Sequence, residues 1–187
     1  VKGHVRLWAN MSALTEFLPS ALSQFLSAHP EIQVEVEEQI SGDIVRALLD
    51  GIADIGVFAE GAPTTGLDTK IIGKDELVIA CSKSHPIGTR KRISFEECLE
   101  YDFVGLNRGS SLLELTSRSA EKLGKQMRLR IQVRSYDAMC QMIAVNLGIG
   151  VLPLQACIAQ IKAMDLQVIP LDDSWAKRNL LLAIKTN

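Results

Sequence analysis

Asp102-Phe103-Val104-Gly105-Leu106-Asn107-Arg108-Gly109-Ser110-Ser111 decides the fold, because it repeats the strand, loop and helix start with which the chain opens. Its first five residues are a short apolar run with strand propensity, and its last five carry the glycine and serines that turn a chain into a helix. The helix runs through Leu112, Leu113, Leu115, Ala120 and Leu123 and ends at Gly124. Arg128-Leu129-Arg130-Ile131-Gln132-Val133 then alternates as a strand. Ser135-Tyr136-Asp137 opens a second helix through Met139, Met142, Ile143 and Val145, and Gly148-Ile149-Gly150-Val151-Leu152-Pro153 closes the series.

The same order occupies the start of the chain. Val5-Arg6-Leu7-Trp8-Ala9 reads as a strand that breaks at Asn10-Met11-Ser12-Ala13. Leu14, Phe17, Leu18, Ala21, Leu22, Phe25 and Leu26 recur at helical spacing and predict one helix, stopped by His29-Pro30. Ile32, Val34 and Val36 alternate with Gln33, Glu35 and Glu37, the period of a half-buried strand. Ser41-Gly42-Asp43 starts a helix carrying Ile44, Val45, Leu48 and Leu49, Gly51 ends it, and Asp54-Ile55-Gly56-Val57-Phe58 is a short buried strand. Strands alternating with helices argue for mainly parallel α/β sheets, whose ligands sit outside the carboxyl ends of the strands. Two such units predict two lobes with a cleft between them; a single doubly wound domain is the alternative.

Composition agrees with a globular α/β protein. The apolar fraction of 47% over 187 residues supplies two sheet cores, and 20 basic against 22 acidic residues give a net charge of −2. Only Arg90-Lys91-Arg92 stands out, and a solvated loop suits it better than a nucleic-acid patch, which needs a basic face. No stretch is long and apolar enough to span a bilayer, and the N-terminus lacks the pattern of a secretion signal. A cytoplasmic location is expected. Cys81, Cys98, Cys140 and Cys157 lack C-x-x-C or metal-finger spacing and read as free buried thiols, with a redox-sensing pair as the lesser alternative. His4, His29 and His85 lie far apart, without carboxylates at metal-ligand spacing. No metal, cofactor or catalytic residue is expected. Gly148-Ile149-Gly150 lies after a helix and before a strand, the reverse of a dinucleotide fingerprint, and reads as a tight connection.

The predicted loops carry the chemistry. Ser12, Ser41, and Ser110 or Ser111 fall at helix starts, and Ser135-Tyr136 opens a fourth. Helix starts direct unpaired N–H groups outward and serine hydroxyls add donors, so converging ones suit an anion, with Arg108 strengthening the attraction. For any single serine, ordinary capping is the commoner role.

These residues also carry a family resemblance. Gly3-His4-Val5-Arg6-Leu7, Phe17-Leu18-Pro19, and Phe25 with His29-Pro30 and Val34-Glu35-Val36 resemble the effector-binding domain of LysR-type transcriptional regulators. So do Leu48-Leu49-Asp50-Gly51 with Ala53-Asp54-Ile55-Gly56-Val57, Leu77-Val78-Ile79 with Ser84-His85-Pro86-Ile87, and Asn146-Leu147-Gly148-Ile149-Gly150-Val151-Leu152-Pro153. The ordered set covers essentially the whole chain. The resemblance implies a type 2 periplasmic-binding-protein fold, with two Rossmann-like lobes joined by crossover strands. Lobe one would comprise residues 1–74 plus 176–187, with a return strand near Asn179-Leu180-Leu181-Leu182-Ala183-Ile184, and lobe two residues 75–175. It further implies a small effector held by Asn10, Met11, Ser12, Ile40, Ser41 and Phe58 facing Asn107, Arg108, Gly109, Ser110 and Tyr136, and the helix starts with Arg108 predict that this effector is a small carboxylate or other anion. Met11 stands where relatives often carry a small residue.

The family's winged helix-turn-helix and linker helix do not occur in the chain, which suggests a fragment of a longer regulator that touches DNA only through that missing part. Relatives form dimers, and tetramers at full length. Here Leu14 to Ala28 with Ile32 to Glu37 would pack against Leu112 to Leu123 with Leu129 to Val133 of another copy. A transport solute-binding protein and an enzyme on the same fold, as in porphobilinogen deaminase or prephenate dehydratase, stay open at this point.

Overall fold

The computed structural model describes residues 3–187. In chain order its elements are β1 (Gly3–Ala9), α1 (Met11–Glu16), α2 (Leu18–Ala28), β2 (Ile32–Glu38), α3 (Ser41–Leu49), β3 (Ile55–Ala59) and β4 (Leu67–Cys81). There follow α4 (Phe95–Cys98), β5 (Asp102–Leu106), α5 (Ser111–Lys122), β6 (Arg128–Val133) and α6 (Tyr136–Ala144). The chain continues through β7 (Gly150–Pro153), α7 (Ile158–Ala163), β8 (Gln167–Pro170), a 3₁₀ turn at Ser174–Ala176 and β9 (Lys177–Lys185). It divides into two compact units: unit one is the chain up to Asp75 together with Arg178–Asn187, and unit two is Glu76–Lys177.

In unit one the strand order is β2-β1-β3-β9-β4. β1 runs parallel to β2 from Gly3 opposite Ile32 to Ala9 opposite Glu38, and parallel to β3. β9 returns antiparallel to β3, with Gly56 opposite Ala183. The period of two decides which side of the sheet each residue serves. Leu7, Ala9 and Val57 face Ala13 of α1 and Leu18 of α2, while Phe58 faces Ile44, Val45, Ala47 and Leu48 of α3. Gly56 lets α3 lie close, because a Cβ there would stand 2.7 Å from both Ile44 Cγ2 and Leu48 Cδ1.

Two expectations need correction here. The single helix through Leu14 and Leu26 is two, α1 and α2, broken at Phe17. Pro19 lies in the first turn of α2, where its missing N–H costs nothing, whereas a continuous helix would leave the carbonyl four residues back unpaired. The strand Ile32 to Glu38 is less buried than its alternation suggests: Val34 is half-buried and Val36 exposed. On α2 only Leu18 is buried, and Phe25 is 43% exposed. The apolar alternation of β2 and the stripe of α2 are therefore real patterns that this chain alone does not cover.

In unit two β5 and β6 pair in parallel, and β4 pairs antiparallel with both β7 and β8. β5 meets β7 through the Val104 N–H to the Ile149 carbonyl at 2.8 Å and the Ile149 N–H to the Asp102 carbonyl at 2.9 Å. The core holds Phe95 edge-on to Phe103 and to Trp175, with ring centroids 6.0 and 5.1 Å apart. Just past the end of α6, Asn146 takes a left-handed φ of 63° that turns the chain toward β7. Arg90-Lys91-Arg92 lies outside the helices and strands on the surface, with Arg90 paired to Glu97 and Arg92 to Asp172.

Gly148 explains the tight connection before β7. A Cβ there would stand 2.8 Å from the Asp102 carbonyl oxygen and 3.1 Å from two more backbone atoms of β5, none of which can move aside as a side chain would. Gly148→Ala is expected to destabilise the chain by roughly 1–3 kcal/mol, whereas Gly42→Ala, in α3 with nothing within 4 Å, should stabilise it by about 0.5–1 kcal/mol. Thermal unfolding of the two variants beside the parent checks the contrast.

Candidate functional site

In unit one the ends of β1 and β2 bring two loops together. Asn10 caps α1: its Oδ1 accepts the Ala13 N–H at 2.9 Å, and its own N–H donates to the Val57 carbonyl at 3.0 Å. It is 1% exposed, and its Nδ2 is buried without a partner. Ser12 is likewise buried and Met11 half-buried. The Gln39 N–H donates to the Ala9 carbonyl at 3.0 Å, which sets Ile40 and Ser41 beside the β1 loop. Asn10, Met11, Ser12, Ile40 and Ser41 thus share one edge of unit one, at the carboxyl ends of its strands.

Ser41 is not the cap expected of it. Ile40 occupies the cap position of α3 without a side-chain bond, and Ser41 is the first helical residue. Phe58 also departs from expectation. Its ring is fully buried in the core beneath α3, so it is a packing residue of unit one with no surface to offer a ligand.

In unit two the Asn107 N–H donates to the Val133 carbonyl at 2.9 Å, joining the ends of β5 and β6. Gly109 takes a left-handed φ of 91°, and the Ser110 N–H returns to the Asn107 carbonyl at 3.3 Å. Ser110 caps α5, its Oγ accepting the Leu113 N–H at 3.0 Å; Ser135 caps α6 by accepting the Ala138 N–H at 3.1 Å. Each hydroxyl accepts in its cap and keeps its own hydrogen to donate. Arg108 is exposed, and Tyr136 is buried at the start of α6. Asn107, Arg108, Gly109, Ser110 and Tyr136 therefore gather at one edge of unit two.

The acidic residues near these helix starts do not simply cancel the donors. Asp43 of α3 meets Arg46 at 3.4 Å, and Glu114 of α5 pairs with Arg118 one turn on, so two of the carboxylates already have a cation. A shallow, partly open pocket lies beneath α5, lined by Leu106, Leu112, Thr116, Met127 and Met139 among others. It is apolar, and the Thr116 hydroxyl is already engaged with the Leu112 and Leu113 carbonyls at 3.0 and 3.1 Å. That chemistry does not suit an anion. The sequence reading missed this pocket and the open amide of Asn10, since neither a surface hollow nor an unspent donor leaves a trace in residue spacing.

The four cysteines are buried, and none is in a disulfide. Burial pushes the Cys81 thiol up to about 11, and burial with the nearby Asp173 and Glu97 charges pushes Cys98 up to about 12. These two are thiols, not thiolate nucleophiles, at neutral pH. Cys140 is lowered by its hydrogen bond with Cys157. Among the described residues no three His, Cys, Asp or Glu side chains converge as metal ligands, and no helix is long and apolar enough to cross a membrane.

Two units of alternating strands and helices, each with polar loops at its strand ends, define a ligand-binding α/β class. The model of the LysR substrate binding domain family matches residues 1–187, and the chain belongs to that family, a non-enzymatic module of transcriptional regulators. A probable RuBisCO transcriptional regulator of Trieres chinensis is 24% identical over 194 residues, covering 100% of this chain and 62% of that protein. The chain therefore spans less than two thirds of this relative. The regulatory domain of Synechocystis PCC6803 CcmR, solved in complex with 2-PG, superposes with a TM-score of 0.85 at 21% identity, covering 100% of this chain and 89% of that one. The effector-binding domain of QuiR, solved with shikimate, gives 0.80 at 18% identity, covering 100% and 89%. These likenesses establish the fold as α/β with two lobes, like that of periplasmic binding proteins.

Proposed function

We propose that this chain is the effector-sensing part of a longer LysR-type transcriptional regulator. It binds a small carboxylate or related anion through Asn10, Met11, Ser12, Ile40 and Ser41 of unit one and Asn107, Arg108, Gly109, Ser110 and Tyr136 of unit two. The observation that carries this reading is Asn10. A buried amide donor left unpaired costs about 1–3 kcal/mol, and an acceptor oxygen of a ligand relieves that cost. Arg108 and the free hydroxyl hydrogen of Ser110 supply matching charge and donors from unit two. The relative solved with shikimate, itself a carboxylate, supports the same chemistry. Effector binding shifts the conformational equilibrium by no more than its differential affinity for the states involved.

The rest of the regulator follows the family. DNA contact lies in residues outside this chain, in keeping with a net charge of −2 over these 187 residues. The protein acts in the cytoplasm as a homodimer, assembling to a tetramer at full length. The uncovered face of α2 and β2, with Phe25 and Val36 exposed, meets α5 and β6 of a second copy, where Leu123 is 39% exposed. An apolar stripe that finds no core in its own chain is the expected mark of such an interface.

Thermal unfolding against a panel of small carboxylates, amino acids and sugars tests the ligand. A binding acid at a hundred times its Kd should stabilise by about 2.7 kcal/mol, equivalent to roughly 5–11 °C at about 2–4 °C per kcal/mol, and Asn10→Ala or Arg108→Ala should lose most of that shift. Stabilisation only by neutral or cationic compounds would refute the anion assignment. Sedimentation tests the assembly: the parent chain should associate with rising concentration, and Phe25→Glu should remain monomeric. Equal association of both would remove α2 from the interface.

A further inference from the structure

Charge is not spread evenly along this chain. Between Leu7 and Val45 there is no lysine or arginine and there are six acidic residues, whereas Leu115 to Tyr136 holds six basic residues and one acid. The fold gathers part of each set on a strand with one side open. Among the described residues β2 pairs only with β1, and β6 only with β5. Glu35, Glu37 and Glu38 are exposed on β2; Arg128 and Arg130 are exposed on β6, with Arg134 just beyond it.

The chain neutralises little of this charge itself. Arg128 and Arg130 share one carboxylate, Asp102, at 3.5 and 3.8 Å. Glu35 lies 3.2 Å from His4 Nε2, and Arg6, its register neighbour on β1, is committed to Asp54 at 2.9 Å. Both strands turn these charges away from the helix that covers them. Val34 packs with Leu18 and Leu22 of α2, so Glu35 and Glu37 alternate to the other face. A Cβ at Gly105 would meet Leu129 of β6 at 2.8 Å and Leu113 of α5 at 3.8 Å, and Arg128 and Arg130 flank Leu129 on the opposite side. Set side by side with α2 and α5 above them, β2 and β6 therefore bring acids and arginines to the same face. α2 has no charged side chain of its own to disturb that match.

We propose that β2 and β6 are the two halves of a charge-complementary seam, in which Glu35 and Glu37 of one copy of the chain face Arg128, Arg130 and Arg134 of a second copy, so that charge selects which edge meets which. This deepens the assembly described above and rests on it. Opposite charges across neighbouring strands attract and like charges repel. β2 against β2, or β6 against β6, is thereby disfavoured, and the pairing of unlike edges is the one that remains. The apolar face of α2 supplies contact area, and the charges supply orientation and partner choice. A nucleic acid would answer the basic strand alone; a second copy answers both strands at once.

Charge reversal in the intact chain, read by sedimentation, tests the seam. Glu35→Arg with Glu37→Arg is one variant. Arg130→Glu with Arg134→Glu is the other, and it leaves the Arg128 bond to the Glu100 carbonyl in place. Each should weaken self-association at least about tenfold. An equimolar mixture of the two should associate as the parent does, because every reversed strand then meets its opposite. Parent-like self-association of either variant, or no recovery in the mixture, would overturn the seam while leaving the assembly itself to the Phe25→Glu result; a parent that stays monomeric at every concentration would overturn both. Should a variant not fold, salt decides the matter. From about 0.1 M to about 1 M sodium chloride the screening length falls from about 10 Å to about 3 Å, and association of the parent should weaken. Association that is unchanged or stronger would overturn the proposal.

Discussion

The buried ion pair between Asp75 and Arg178 is the contact on which unit one depends. It joins the strand by which the chain leaves that unit to the strand by which it comes back, so β4 and β9 are held together where neither has a hairpin to hold it. A buried pair is a poor source of net stability, yet losing one partner strands the other charge and costs about 3–5 kcal/mol. Glu60 reinforces the same return from the other flank. Its Oε1 accepts the Asn179 N–H at 2.7 Å, its Oε2 accepts the Asn179 side-chain amide at 3.2 Å, and its own N–H donates to the Asn179 carbonyl at 2.9 Å. With β9 placed in this way, Ala183 closes the core around Phe58 and α3.

The two units solve the same problems with different residues. Each cap of the first helix spends one side-chain oxygen on a backbone N–H three residues on, Asn10 toward Ala13 and Ser110 toward Leu113. Each also needs a glycine where its last strand passes beneath the second helix. Gly56 yields to Ile44 and Leu48, and Gly150 yields to Ile143, whose Cδ1 would stand 2.8 Å from a Cβ. The donors left over after capping differ, an amide in one unit and a hydroxyl with a nearby arginine in the other.

Much of the fold is legible in the sequence, because periods of two and of 3.6 are properties of the chain itself. The order β1, α1, β2, α3, β3 and its repetition as β5, α5, β6, α6, β7 rests on those periods and on Gly51 and Gly124, whose left-handed φ values of 72° and 68° end their helices. The break at Phe17 escapes them, since the apolar stripe runs unbroken across it and only Pro19 marks the change. β4, fifteen residues long, escapes too, because its first half is largely exposed and its second half buried, so no single alternation describes it. The site is harder to read than the fold. A serine at a helix start does not reveal whether it caps, as Ser110 does, or sits one residue inside, as Ser41 does. Nor does a phenylalanine at a strand end reveal whether it faces a ligand or, like Phe58, the core.

Amide chemical-shift mapping of the whole chain, titrated with the acid that stabilises it most, tests the central claim most directly. The account predicts shifts concentrated at Asn10, Met11, Ser12, Ile40 and Ser41 and, at the same ligand concentration, at Asn107 through Ser110 and Tyr136. Shifts in only one of these two groups, or in the apolar lining beneath α5 instead, would contradict it.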